Sequence, residues 1–358
     1  MKRIYLTNTK PIKFSFTQTQ YTFKVQENIK LKPQKKGHYK ILEVTKKEKS
    51  TIELIEYLSE VFKIDKKEIG YAGLKDKHAT TTQYISVPKY IKIDKFNNSD
   101  SVTIEHIGYS NNPIKIGDLS SNTFSITLEN VTPNEYIKMQ QALKSINEYG
   151  FANFFGYQRF GKEDESSVEK GQKIAQSGER VKNQRGKILL AAYQAKHFNL
   201  WLNRRLEISK AIASGKKEQI LSKLSPKLIE IIANTPTLFK LLPGDLGYTF
   251  KNGRKNFSNV FDIEKQAQDF AKRRFYPTGL LFGNSVRVAS SIAKEIEKEF
   301  IDPDFTALKG TRRAAWIWPK DLRHNYNEKK QIVKLNFTLL PGSYATVLLE
   351  ELANNKLG

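Results

Sequence analysis

The chain has 358 residues, 39% of them hydrophobic, with 21 Phe and 16 Tyr, so it can bury a real core and is long enough for two domains. Sixty Lys+Arg against 37 Asp+Glu give a formal charge of +23, an excess whose usual partner is a polyanion. The absence of cysteine excludes disulfides and thiolate metal sites; the five histidines (His38, His78, His106, His197, His324) lack metal-ligand spacing, and no stretch approaches the ~20 apolar residues of a membrane span.

In chain order, residues 21–27 alternate as a strand with Tyr21, Phe23 and Val25 on one face. Residues 28–38 are a Lys-rich loop and 39–45 a second strand. Ser50 and Glu53 form a capping-box pattern for a helix whose apolar face is Ile52, Ile55, Leu58 and Phe62. Residues 70–82 read as a loop feeding a strand at 83–87, and 88–101 as a polar surface connection. Strands follow at 102–107 and 122–128, then a helix opened by Pro133 and closed by Gly150. Residues 151–161 (FANFFGYQRFG) are dense in aromatics, 162–186 are strongly charged, and 187–212 form a long amphipathic helix. Helices and loops run on to about residue 300. Near the C-terminus, Val333, Leu335, Phe337 and Leu339 alternate as a strand, Pro341-Gly342 breaks it, and Ser343 caps a helix through Leu352. The pattern predicts an α+β protein whose first and last pieces flank a mainly helical middle.

Three segments carry candidate chemistry. In GLKDK, Asp76 lies between Lys75 and Lys77, and adjacent cations lower a carboxylate's pKa. Spacing alone reads first as a polar turn with a solvated Asp, and second as an ionised nucleophile in a phosphate-attracting loop. In NFFGYQRFG, aromatics beside Arg159 suit base stacking, and Asn153 and Gln158 can read a uracil edge; burial in the core explains the same aromatics equally well. After Pro341-Gly342, Tyr344 opens a helix and can face a ligand, or it can simply dock that helix. Arg312-Arg313 either binds phosphate or flanks a buried strand.

Taken in order, FxVxE, GYAGLKDKHATTTQ, NFFGYQRFG and FTLLPGSYAT resemble the TruD family of tRNA pseudouridine synthases, with weaker matches between them nearly end to end. The resemblance implies an isomerase that converts uridine to pseudouridine in tRNA, at position 13. It implies a catalytic pseudouridine-synthase domain with a mixed or antiparallel sheet at residues 1–160 and 311–358. A mostly helical α+β TRUD domain would be inserted at 161–310. Position by position, Asp76 becomes the nucleophile, and Phe23, Asn153, Phe155 and Tyr344 become substrate-binding residues. Lys75, Lys77 and Arg159 are the candidate supporting cations.

The implied protein is a monomer that binds tRNA, holds no cofactor and no metal, and has no membrane partner. An N-terminus without an apolar signal region adds a cytoplasmic expectation. Three departures stand out: Gln20-Tyr21-Thr22 replaces Pro-Glu-Asp, the family's upstream basic residue falls near Thr17, and Leu119-Ser120-Ser121-Asn122 replaces LKGN. The competing class, a non-catalytic RNA-binding protein or chaperone on the same scaffold, explains the charge and the aromatics. It does not explain a carboxylate inside a basic loop.

Overall fold

The computed structural model describes residues 3–6, 10–93, 96, 98–161, 164–177, 181, 183–251 and 254–357. They fall into two compact units. A sheet unit comprises Ile12–Gln140 with Pro319–Ala345, and a helical unit comprises Met1–Pro11, Gln141–Trp318 and Thr346–Gly358.

The sheet unit opens with β1 (Phe23–Ile29), β2 (Tyr39–Lys47), α1 (Thr51–Phe62), β3 (Gly70–Tyr71), β4 (Thr80–Pro88), β5 (Val102–Ser110) and β6 (Leu119–Leu128). Helix α2 (Pro133–Tyr149) carries the chain onward to β7 (Phe151–Ala152), α3 (Asp164–Gln176), α4 (Gln184–Ser214) and α5 (Pro226–Ala233). Next come β8 (Leu246–Lys251), β9 (Arg254–Asn259), α6 (Ile263–Ala271), β10 (Tyr276–Leu281), α7 (Ser291–Lys298), β11 (Thr311–Ala314) and β12 (Trp316–Ile317). The chain returns to the sheet unit with β13 (Lys320–Asn327) and β14 (Ile332–Leu339), and α8 (Ala345–Ala353) follows.

Among the described residues the sheet unit holds one eight-stranded sheet, in the order β13-β14-β6-β1-β4-β2-β5, with β3 also on β4. The β1–β4 pairing is parallel, with Lys24 opposite Thr80, and the other pairings are antiparallel. A parallel pair needs a crossover, and the β2–α1–β3 stretch supplies it. The sheet is therefore mixed.

Helix α1 starts where the capping box predicts: Glu53 N–H bonds to the Ser50 hydroxyl, and the Glu53 carboxylate accepts from Ser50 N–H at 2.7 Å. Its buried face is Thr51, Leu54, Ile55 and Leu58, which packs with Leu42, Val44, Ile85 and Val87. Ile52, expected on that face, is 51% exposed. At 100° per residue the buried positions 51, 54, 55 and 58 share an arc of about 100°, and Ile52 lies about 60° outside it.

Two strand edges also differ from the sequence pattern. Phe23, Val25 and Glu27 face inward, but Tyr21 is exposed in a turn where its N–H donates to the Thr19 hydroxyl. Strand β4 begins at Thr80 rather than at 83, because its inward positions Thr81 and Gln83 are polar and buried, which breaks the apolar alternation.

In the helical unit, the 31-residue α4 buries Leu190, Phe198, Trp201, Leu202 and Leu206. Helix α3, in the charged stretch, packs against α4 at Gly171, where a Cβ would lie 2.2 Å from the Leu189 carbonyl oxygen. A four-stranded sheet runs β11-β10-β8-β9, and β7 pairs with β12. These pairings place the edges of the compact units elsewhere than the 160/161 and 310/311 breaks of the family division. Residues 151–152 pair with 316–317, β11 pairs with β10, and Arg3 bonds both Glu350 and the Phe155 carbonyl. So residues 141–160, 311–318 and both termini fold with the middle of the chain. No helix among the described residues is long and apolar enough to cross a membrane.

Arg205, 1% exposed, donates to both carboxylate oxygens of Asp245, which also accepts from Leu242 N–H. Removing one partner of a buried pair strands the other charge. Asp245→Ala is expected to lower unfolding free energy by about 3–5 kcal/mol, read by urea denaturation; a loss under about 1 kcal/mol contradicts it.

Candidate active site

The sheet unit carries Asp76 on the loop between β3 and β4, and buried polar contacts fix that loop from below. Lys75 N–H donates to the Thr51 hydroxyl at 2.8 Å, and that hydroxyl donates to Gln83 Oε1 at 3.0 Å. The Lys75 ammonium lies 2.6 Å from Glu27 Oε2, an ion pair whose angle falls outside hydrogen-bond geometry, and it donates to Asn122 Oδ1 at 2.8 Å. Its side chain is 7% exposed and that of Glu27 is fully buried. Lys75 thus anchors the loop to β1 and β6. Lys77 pairs at the surface with Glu53, which its hydrogen bond and those of Ser50 hold down at about 2. His78 bonds Glu48 at 2.8 Å. Both lysines beside Asp76 in sequence therefore spend their charge on other carboxylates.

The cation beneath Asp76 is one the motif does not contain. Lys46, at the end of β2, is fully buried and donates to the Asp76 backbone carbonyl at 2.8 Å and to the Lys49 carbonyl. Burial pulls its pKa down to about 8, with Asp76 the main opposing attraction. The signal was available in the period-two alternation Leu42, Val44, Lys46, which sets Lys46 on the inner face of β2. Gln18 hydrogen-bonds the Asp76 carboxyl.

The Asp76 side chain is open to solvent, yet enough protein surrounds it that desolvation pushes its pKa up. Lys46, the Gln18 hydrogen bond, Lys75 and His78 oppose that rise without cancelling it. The net direction is opposite to the lowering expected from the flanking lysines, because desolvation outweighs cations that are shared with Glu27 and Glu53. Phe23, in the same unit, is 2% exposed and sits in an aromatic row with Phe16 at 6.0 Å and Phe124 at 5.9 Å. Tyr344, after the left-handed Gly342, is half-buried.

The helical unit gathers Asn153, Phe155 and Arg159, and Arg313 organises them. Arg313 donates to the Asn153 carbonyl at 3.1 Å, to Asn153 Oδ1 at 2.9 Å and to the Phe154 carbonyl at 3.2 Å, and its guanidinium covers the Phe155 ring at 3.9 Å. Asn153 Nδ2 donates to the Ala314 carbonyl at 2.9 Å. Phe155, 7% exposed, meets Phe198 edge-on at 5.5 Å, and Arg159 lies 5.7 Å from its ring. No described residue accepts a hydrogen bond from the Arg159 side chain, whose Nε is buried without a partner. The neighbouring Arg312 is structural: it is buried and pairs with Glu297 at 2.6 Å.

A family model described as tRNA pseudouridine synthase D (TruD) matches residues 2–178 and 165–352. A tRNA pseudouridine synthase D from Wolinella succinogenes is 38% identical over 365 residues, covering 100% of this chain and 99% of that one. The protein of that name from Sulfurimonas denitrificans is 38% identical over 366 residues, with 100% of both chains covered. A crystal structure described as a putative tRNA pseudouridine synthase D (TruD) from Methanosarcina mazei shares the fold. Its TM-score is 0.72 at 22% identity, over 99% of this chain and 96% of that one.

Removing the partner of Lys75 tests the loop's anchor. Glu27→Ala leaves a buried ammonium without its carboxylate and is expected to cost about 3–5 kcal/mol in urea unfolding. Wild-type stability in that variant would mean the loop is held by its other contacts.

Proposed function

This chain belongs to the TruD family of tRNA pseudouridine synthases, and from that premise we propose that it isomerises uridine to pseudouridine in tRNA, at position 13, with Asp76 as nucleophile. The observation that carries the residue assignment is the Asp76 loop itself. It presents a solvent-open carboxylate on a backbone pinned by Lys46, Thr51, Glu27 and Asn122. Fixed placement of a reacting group supplies much of an enzyme's rate.

The target uridine leaves its stack at a cost of a few kcal/mol. The Asp76 carboxylate attacks either ribose C1′, displacing the base, or uracil C6, forming an adduct that weakens the N1–C1′ bond. The base turns and C5 bonds to C1′, displacing the Asp76 carboxylate on the first route; on the second route the N1–C1′ bond breaks before C5 bonds to C1′, and the Asp76–C6 bond breaks by elimination as the C5 proton leaves. On both routes the C5 proton is lost, N1 takes up a proton and Asp76 is freed as a carboxylate. Electrons balance without an oxidant, so the reaction calls for no redox cofactor.

Asn153 has two amide hydrogens and two lone pairs on Oδ1. Ala314 takes one hydrogen and Arg313 one lone pair. One donor and one acceptor are left, which match a uracil carbonyl and its N3–H. Half-buried Tyr344 offers a ring for stacking, worth about 1–3 kcal/mol. Phe23 in the sheet unit and Phe155 in the helical unit are both buried, and each acts as a wall residue within its own unit. Arg159, whose Nε has no hydrogen-bond partner among the described residues, is a cation that can meet phosphate. The division into a catalytic part (1–160 with 311–358) around an insert (161–310), a monomeric state and a cytoplasmic location belong to the same proposal.

Incubation with tRNA tritiated at uracil C5 releases tritium if the proposal holds, and Asp76→Asn slows release by at least about 10³-fold. Wild-type protein that releases none from tRNA refutes the activity; Asp76→Asn at full rate refutes the nucleophile. The pH dependence has a definite sign. Attack needs the ionised carboxylate, and the folded pKa is raised. Activity is therefore present at neutral pH and lost as pH falls through a midpoint above the ordinary ~3.9 of Asp. A kcat/KM profile flat to below about pH 4 contradicts this.

A further inference from the structure

We propose that Lys46 is the positioning residue of the catalytic loop: its buried ammonium holds the Asp76 backbone in place and supplies the positive charge that keeps the Asp76 carboxylate ionised. The inference rests on Asp76 being the nucleophile.

Burial makes a lysine at this place costly. Lys46 is fully buried, its partners are two backbone carbonyls, and among the described residues no carboxylate lies within 4 Å of its ammonium. An ammonium without a paired carboxylate pays a desolvation penalty that carbonyls offset only in part. A methionine would fill the same inner position of β2 beside Leu42 and Val44 without that penalty. The charge is therefore the feature that needs a reason, and the loop above it provides one.

The groups around the two side chains point the same way. Those acting on Lys46 are Asp76, the strongest attraction, then Lys75, which repels, and the weaker Glu53 and Glu48. Those acting on Asp76 are Lys46, the Gln18 amide, Lys75 and His78, with Lys46 the largest of the favourable contributions. Lys75 is paired with Glu27, Lys77 with Glu53 and His78 with Glu48. A cation already paired projects little net field onto a third group. Lys46 is unpaired, so its field on Asp76 is not cancelled. Its hydrogen bond to the Asp76 carbonyl adds a second effect, fixing the residue's backbone and with it the direction from which the side chain approaches the substrate.

Three substitutions separate the effects. Lys46→Met removes charge and hydrogen bond, Lys46→Gln keeps an amide donor without charge, and Lys46→Arg keeps the charge. In tritium release from tRNA across pH, Lys46→Met is expected to lower kcat about tenfold or more while KM stays within about threefold. Its acid limb should move to higher pH. Lys46→Gln should keep the displaced limb, and Lys46→Arg should bring it back toward wild type.

Lys46→Met and Lys46→Gln with an unmoved acid limb and kcat within about twofold of wild type overturn the inference. Should Lys46→Met fail to fold, NMR of the wild-type chain decides: the Asp76 carboxyl carbon and the Lys46 ammonium nitrogen must each show an inflection at the other's titration. Two independent titrations overturn the inference. An active Asp76→Asn sinks the nucleophile reading and this inference together; an inactive one beside indifferent Lys46 variants sinks only this inference.

Discussion

The sheet unit depends on a set of buried polar contacts under one loop. Between β3 and β4 the chain must leave the sheet, turn and re-enter it beside β1, and the sequence there offers few apolar side chains to hold it. The Lys75–Glu27 pair, the Thr51 hydroxyl with Gln83, and the Lys46 ammonium take over that task. Each places a polar group on the inner side of an element: Glu27 on β1, Lys46 on β2, Thr51 on α1, Gln83 on β4. Buried polar groups cost stability unless they find partners. Here the partners are one another and the loop backbone, so the loop's position is tied to the register of the sheet.

The same economy of charge governs the electrostatics of Asp76. Local sequence surrounds it with cations, but each adjacent cation is drawn to a carboxylate on a neighbouring element. The carboxyl consequently feels desolvation first and Lys46 second. The balance matters for the nucleophilic role proposed for Asp76. A strong positive field stabilises a carboxylate and blunts its attack, whereas desolvation disfavours its charged form, and the two oppose each other at Asp76.

The helical unit solves a similar placement problem with arginine. Arg313 uses its planar fork to hold two backbone carbonyls and the Asn153 amide oxygen while its face covers Phe155. A lysine could not make that set of contacts. The aromatic block 151–161 is therefore largely core, as its composition allowed, with Arg159 over the Phe155 ring and its Nε without a hydrogen-bond partner among the described residues.

The α+β class, the capped helix at 51–62, the alternating strands and the order of the motif blocks were all legible in the sequence, because period, caps and turn residues are local properties of a chain. The strand start at Thr80, the outward turn of Ile52 and Tyr21, and the regrouping of residues 141–160 and 311–318 with the middle were not. They depend on polar inner faces and on strand pairings between distant segments. At the candidate site, the sequence by itself singled out Asp76 and its family. Only the tertiary structure decided which cation lies beneath it. Lys75 and Lys77 stand next to Asp76 along the chain but face Glu27 and Glu53, whereas Lys46, thirty residues earlier, lies directly beneath it. Charge acts through space, and distance in space is set by the fold.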